Sequence, residues 1–222
     1  MTGNASAPFE AVLAAAASGG PASFTLHHPH GASHRFDPAA WFRDHLPGDG
    51  RLLDRCTGPT LDVGCGPGRL TGALARAGRP ALGIDISATA VRHTRRRGAA
   101  ALRRDVFDPV PGTGRWHHLL LADGNIGIGG DPRRLLDRCR HLLAPHGQIH
   151  AELAAPGTPS WAGTAALRDE AGSGGISLRW AVVAPEDLAA LAAATALRIL
   201  NTRTESGRWF ATLTPSGTSP AG

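Results

Sequence analysis

"LDVGCGPGR" occupies Leu61 to Arg69, and "GIDIS" follows at residues 83–87. The apolar run ends in three glycines at alternate positions, Gly64, Gly66 and Gly68. Glycine tolerates positive φ and has no Cβ, so such a loop lets backbone N–H groups approach a ligand closely. About twenty residues on, Asp85 ends the next apolar run, where a carboxylate can accept both hydroxyls of a ribose. The ordinary alternative for Asp85 is a turn residue ahead of a helix cap at Ser87. A dinucleotide fingerprint starting at Gly64 needs Gly or Ala at position 69, and Arg69 there would crowd the close helix–strand packing. The pattern is therefore GxGxG preceded by the acidic Asp62, which by itself is also the pattern of an ordinary tight turn.

Outward from this loop, short apolar runs alternate with helical patterns. The candidate strands are 59–64, 80–85, 99–104, 116–122, 147–153, 197–204 and 208–213. The candidate helices are 68–78, 87–97, 131–143 and 185–195, started by Ser87, by Asp131 with Pro132, and by Pro185 with Glu186 and Asp187. This alternation predicts an α/β, doubly wound fold with a mostly parallel sheet covered on both faces. Residues 1–56 read as an N-terminal extension or cap, with one short helix and a His-rich loop, "HHPHGASH" at 27–34. Residues 57–213 form the main domain, and 214–222 read as a disordered tail. Residues 154–184, after the fifth strand, read as a hairpin insertion placed to act as a lid.

Composition narrows the chemistry. The 222 residues include no Lys and no Tyr, which excludes lysine Schiff-base chemistry and a P-loop lysine. The net charge of +5 is a weak pointer to anionic partners. Cys56, Cys65 and Cys139 are odd in number and widely spaced, which suits free thiols in a reducing cytoplasm and indicates neither a metal site nor a disulfide framework. The apolar run at 11–17 follows Glu10 instead of positive charge and is short, unlike a signal peptide. No stretch approaches membrane-spanning length, so the expected location is cytoplasmic, away from membranes. Oligomeric state stays open.

Four further features fall in order behind the glycine loop. "GIDIS" is followed by "RRDVFD" at 103–108, "LLLADGNIGIGGDP" from 119, and "LLAPHGQIHAE" at 142–152. With these, residues 41–213 resemble the class I S-adenosylmethionine-dependent methyltransferases, and the "DGNIGIGGDP" run resembles a small bacterial subgroup of them. The resemblance implies a Rossmann-like fold with a seven-stranded sheet and S-adenosylmethionine as cofactor. It implies that Gly64, Gly66 and Gly68 carry the methionine part and that Asp62 receives its ammonium group. It further implies that Asp85, with Ile86 beside it, holds the ribose, that Asp105 meets the adenine flanked by Val106 and Phe107, and that Asp123 lies at the same site. His146 stands where the family has a glycine, at an expected modest local cost.

The acceptor is expected near the ends of the fourth and fifth strands. There the chain has "DGNI", whereas family members that methylate base amino groups carry Asn- or Asp-Pro-Pro-aromatic, so a nucleic-acid substrate is disfavoured. Candidate catalytic groups are Asp123, Asn125, Glu152 and His150. Asp123 and Asn125 equally suit turn capping, and His150 equally suits a satisfied core group. Glu152 sits nearest the carboxyl end of its strand. His27, His28, His30 and His34 are interrupted by Pro29 and Gly31 with no Cys nearby, so a solvated loop is expected over a metal site. His117 and His118 fall at the far end from catalysis. Arg179 and Trp180 are candidates for a substrate-facing lid, and Trp209 and Phe210 for the core or a sheet edge. The run "RHTRRRG" at 92–98 lacks interleaved aromatics and reads as a solvated helix end.

The leading expectation is a methyltransferase acting on a small-molecule acceptor. The others are an RNA methyltransferase, a non-catalytic cofactor-binding partner protein, and a nicotinamide-dependent oxidoreductase. Radical use of the cofactor would need a CxxxCxxC cluster, which is absent.

Overall fold

The computed structural model describes residues 7–18, 23–28, 31, 33–169 and 176–217. In chain order the elements are α1 (Ala7–Ala17), β1 (Phe24–His27), β2 (Ser33–Phe36), α2 (Pro38–Trp41), α3 (Asp49–Asp54), β3 (Thr60–Val63), α4 (Arg69–Arg76) and β4 (Ala81–Asp85). They continue with α5 (Ala88–Arg96), β5 (Ala101–Arg103), β6 (Trp116–Leu121), a 3-10 segment (Asn125–Gly130), α6 (Pro132–Leu142) and β7 (Leu143–Leu153). The chain then forms β8 (Trp161–Asp169), β9 (Ile176–Val182), α7 (Pro185–Ala194), β10 (Leu197–Glu205) and β11 (Arg208–Pro215).

Seven strands make the main sheet, in the order β10-β11-β7-β6-β3-β4-β5. From β7 to β5 all neighbours are parallel, while β11 runs antiparallel to both β7 and β10. The chain winds outward from β3 through β4 to β5, then returns to place β6 on the other side of β3. The loops after β3 and β6 therefore diverge at the carboxyl edge, where such sheets bind ligands. Leu61, Val63, Ile84, Leu119, Leu121 and Ile149 form the buried centre, as expected for strands covered on both faces. Helix starts follow the sequence signals: the Ser87 side chain accepts from Ala90 N, the Asp131 side chain from Arg134 N, and Pro185 lies at the head of α7.

A second sheet, β2-β1-β8-β9, is antiparallel throughout and joins the N-terminal region to the hairpin after β7. Leu26, Phe36, Leu167, Leu178 and Trp180 are buried between it and its neighbours. Three local expectations change. The 9–56 region carries three helices and a hairpin in place of one short helix, because His27 and His34 lie in paired strands; residues 29, 30 and 32 of the His-rich run lie outside the described residues. β7 begins at Leu143, directly at the end of α6, instead of 147. β11 runs to Pro215 with Thr214 buried, its hydroxyl donating to Gly147 O at 2.9 Å, so 214 and 215 are strand; residues 218–222 of the expected tail lie outside the described residues.

Candidate functional site

The glycine loop leaves β3 with its amides already directed. Gly64 N and Cys65 N donate to Ile84 O at 2.9 and 3.0 Å, which ties the loop to β4. Gly64, at φ +70°, packs against Asn125, whose Nδ2 donates to Val63 O and Gly64 O at 2.9 Å each. Gly66, at φ +54°, differs from Gly64, because a Cβ placed on it would meet no atom within 4 Å. Its face opens into a cavity of about 960 Å³, which it lines together with Asp62, Asp85, Ile86, Asp105 and Val106. That volume lies near the upper end for small-molecule sites.

Two carboxylates at this cavity are costly to ionise. Asp85 Oδ2 accepts from Gly66 N at 2.9 Å and Oδ1 from Ser87 N at 2.8 Å. Burial nevertheless pushes it up to about 6, with those amide hydrogen bonds pulling the other way. Asp62, buried on β3, accepts from Thr71 Oγ1 at 2.6 Å and is likewise pushed up to about 6 by burial. Further along the wall, Asp105 Oδ1 accepts from Phe107 N at 2.9 Å, and the Arg134 guanidinium lies 4.0 Å above the Phe107 ring centre.

The opposite wall is apolar and aromatic. Leu13 of α1, Phe36 of β2, Trp41 of α2, and Leu178 and Trp180 of β9 all face the same cavity. Glu10 of α1 reaches the first turn of α5, where Oε1 accepts from Ala88 N at 2.5 Å and Thr89 N at 3.4 Å. A carboxylate at a helix N-terminus is favourably placed, and here it anchors α1 beside the Asp85 turn.

At the carboxyl ends of β6 and β7 lies an ionic cluster. Asp123, at φ +53°, accepts from Arg69 Nη2 on both oxygens at 2.7 and 2.5 Å and from Arg208 Nη2 at 3.1 Å. Arg69 also pairs with Asp49, and Arg208 bridges Asp49 at 2.8 Å and Glu152 at 2.7 and 2.9 Å. Glu152 Oε2 accepts in turn from Asp123 N at 2.6 Å. Arg69 is only 3% exposed, so its charge is stable there only because carboxylates surround it. Burial pushes Asp123 up, against the pull of Arg69, and Arg208 is raised despite its burial by its bonds to Glu152.

The glycines of "GNIGIGG" serve close packing. A Cβ on Gly127 would run into Ala181 O and lie 2.8 Å from Trp180 Nε1, and one on Gly130 would lie 2.8 Å from Gly163 O. Only a stripped backbone lets the β8–β9 hairpin rest on this segment. Arg179 Nε adds a bond to Gly129 O at 3.2 Å.

The structure thus brings Asp62, Gly64, Gly66, Asp85, Ile86, Asp105, Val106, Asp123 and Asn125 to one cavity. Gly68 does not line it; at φ +86° it packs against Thr94 at the head of α4. His150 does not face it either. Fully buried, its Nε2 lies 3.1 Å from His118 Nδ1 and its Nδ1 3.2 Å from Thr212 Oγ1, and burial pushes it down to about 3. Glu152 and Asp123 are both engaged by guanidinium groups. Asn125 binds the loop backbone. Sequence reading did not single out Glu10, Asp49 or Arg208, and it took Arg69 only as an obstacle to packing. An arginine straight after the third glycine, on a helix that must pack on the sheet, was the available sign that carboxylates lay opposite.

Residues 60–147 match the family model described as a methyltransferase domain. A protein of Methylococcus capsulatus named ubiquinone biosynthesis O-methyltransferase is 50% identical over 98 residues, 40% of each chain. The chain spans no more than 40% of the length of the curated relatives it matches. A Bacteroides fragilis methyltransferase, solved with S-adenosyl-L-homocysteine, superposes with a TM-score of 0.75 at 21% identity over 98% of both chains. A Burkholderia thailandensis 1,6-didemethyltoxoflavin N1-methyltransferase superposes with a TM-score of 0.58 at 17% identity, over 80% of this chain and 79% of that one. At these identities the structural likeness speaks for the fold. Among the described residues no helix is long and apolar enough to cross a membrane, and no cluster of metal-ligating side chains occurs.

Proposed function

We propose that the chain is a class I S-adenosylmethionine-dependent methyltransferase, as the methyltransferase-domain match over residues 60–147 supports, and that it transfers a methyl group from that cofactor to a small-molecule acceptor. The observation that carries the reading is the meeting of the Asp85 carboxylate with the open face of Gly66 at one cavity.

The residues present fit the cofactor. Asp85 would accept the ribose hydroxyls, Ile86 and Val106 would flank the adenine, and Asp105 would accept from its amino group. The bare backbone of Gly64 and Gly66 would lie along the methionine part. Asp62 and Asp85 are both strained towards protonation by burial, so a donor or cation arriving there relieves a cost already present. When bound, the cofactor supplies a methyl carbon on a cationic sulfur that is already a good leaving group. What remains for the protein is alignment, exclusion of water and, for some acceptors, removal of a proton. The aromatic wall from the second sheet does the first two.

A small acceptor is supported by that wall. The Burkholderia neighbour was solved with the small molecule 1,6-didemethyltoxoflavin bound. Two arginines at the end of α5 are also engaged with the chain's own backbone, while Arg92 and Arg96 stay exposed. Arg95 donates to Ala101 O at 3.0 and 2.8 Å, and Arg97 bonds Phe42 O at 2.5 Å and pairs with Asp44.

Calorimetric titration with S-adenosylhomocysteine and with NADH tests the reading. Micromolar binding of the former is expected, weakened about ten- to a hundredfold by Asp85→Asn, since a charge-assisted hydrogen bond is worth about 1.5–3 kcal/mol. Preferential NADH binding would overturn it.

A further inference from the structure

Beside the main cavity lies a second one of about 210 Å³, and the two share Phe36, Trp41, Asp123 and Trp180. It sits over the ends of β6 and β7, bounded by Gly124, Ile126, Glu152 and Leu153. An apolar cavity of about 150 Å³ accommodates benzene, so this one has room for a single substituted ring. Its walls suit a flat guest. Phe36 meets Trp41 edge-on at 6.1 Å and Trp180 edge-on at 5.7 Å, and the His34 ring lies edge-on to Phe36 at 4.7 Å.

His34 is the only imidazole lining this cavity, and of the three carboxylates there Asp37 caps α2 by accepting from Ala40 N at 3.2 Å. Asp123 and Glu152 are each bonded to guanidinium groups, whereas neither ring nitrogen of His34 has a hydrogen-bond partner among the described residues. Its Nε2 points at the Asp123–Gly124 turn, 4.0 Å from where a Cβ on Gly124 would stand. The space that this missing Cβ leaves is where a ring hydroxyl would fit. We propose that the acceptor is a single-ring phenol or enol, seated against Phe36, Trp41 and Trp180, and that His34 is the catalytic base that receives its proton.

This rests on the methyl-transfer reading above. The acceptor oxygen uses a lone pair to form the new carbon–oxygen bond while the carbon–sulfur bond breaks, its electron pair staying on sulfur. The hydroxyl proton passes to His34 Nε2, and the imidazolium then returns it to water. Burial holds His34 below its usual range, with the Glu152 carboxylate pulling the other way, so the ring is free to accept at neutral pH. Asp123 lines the cavity from the β6 end and Glu152, paired with Arg208, from β7, while Arg35 follows His34 within β2 and Asp37 stands just past that strand.

The test uses the full chain with phenol, catechol and pyrogallol as hydroxyl probes, and aniline and cyclohexanol as comparators. Methyl transfer is followed with labelled cofactor, and S-adenosylhomocysteine affinity is measured in parallel. Transfer to at least one hydroxyl arene, and to neither comparator, is expected. His34→Ala and His34→Gln should lower that rate about a hundred- to ten-thousandfold, the range of general-base catalysis, with homocysteine-ligand affinity unchanged. With 4-nitrophenol in mildly alkaline buffer, where the hydroxyl is already ionised, the two variants should transfer at nearly the wild-type rate. A merely structural role for His34 would impair both acceptors alike. Wild-type rates in His34→Ala, equal impairment with the ionised phenol, or transfer to none of the hydroxyl probes overturns the proposal. Absence of homocysteine-ligand binding in the wild type would instead sink the methyl-transfer reading beneath it.

Discussion

Arg69 Nη2 donates to both carboxylate oxygens of Asp123, at 2.7 and 2.5 Å, across fifty-four positions of sequence. The pair joins the helix that follows the glycine loop to the end of β6, the two places where the chain diverges around β3. Arg208 closes the link from the other side, so one buried cluster fastens both ligand-side loops to the antiparallel edge of the sheet.

Removing one member of this cluster should therefore be severe. Arg69→Met leaves Asp49 and Asp123 with Arg208 alone, and breaking a buried pair typically costs about 3–5 kcal/mol. For a domain of this size that corresponds to a fall in Tm of roughly 6–20 °C. Urea unfolding of the variant against wild type measures it. A loss below about 1 kcal/mol would show that water replaces the guanidinium without difficulty.

Acid should weaken cofactor binding early. Asp62 and Asp85 both titrate near 6 in the free protein, far above an ordinary aspartate, because burial disfavours their charge. Both must be ionised to receive an ammonium group and two ribose hydroxyls. Affinity for S-adenosylhomocysteine is expected to be level above neutral pH and to fall about tenfold per pH unit for each group below 6. The sign for folding is opposite: these groups bind more protons folded than unfolded between about pH 4 and 6, so their contribution to stability declines as pH rises through that window. Titrations at several pH values, with thermal melts of the free protein, separate the two effects.

Gly127→Ala should disturb the contact between the 3-10 segment and the β8–β9 hairpin. Its new methyl meets Ala181 O, a backbone atom that cannot swing aside. Overpacking of this kind costs about 1–3 kcal/mol or more. Denaturation gives the cost, and the emission of Trp180, 4% exposed in the native packing, should shift to longer wavelength if the hairpin lifts. Unchanged emission with wild-type stability would mean that the segment simply relaxes.

The elements that local chemistry specifies were legible in the sequence. The glycine loop, the Ser87 and Asp131 caps and the alternation of strand and helix each depend on residues a few positions apart. The arrangement around the second cavity was not, for a physical reason. Asp49, Arg69, Glu152 and Arg208 come from four different elements and Asp123 from the loop after β6, and no periodicity links them. The placement of His34 turned on β2 pairing with β1 and β1 with β8, which made strands of a stretch that reads as a polar loop when considered alone. Likewise "GNIGIGG" reads as pliancy until the hairpin that rests on it is in view. His150, by contrast, sits on the expected strand; what alternation could not say is that His118 and Thr212 would flank it.

The pairing of Leu26 with Leu167 in that second sheet has a further consequence, in the order of synthesis. At about 5–20 residues/s, the ribosome needs roughly 7–28 s after making β1 to make the strand that flanks it. Throughout that interval Phe24, Leu26 and Phe36 belong to a two-stranded ribbon, too small to be stable alone. The nascent chain must carry an unmatched apolar edge while the seven-stranded sheet is still being laid down, and the roof can close only after the floor is nearly complete.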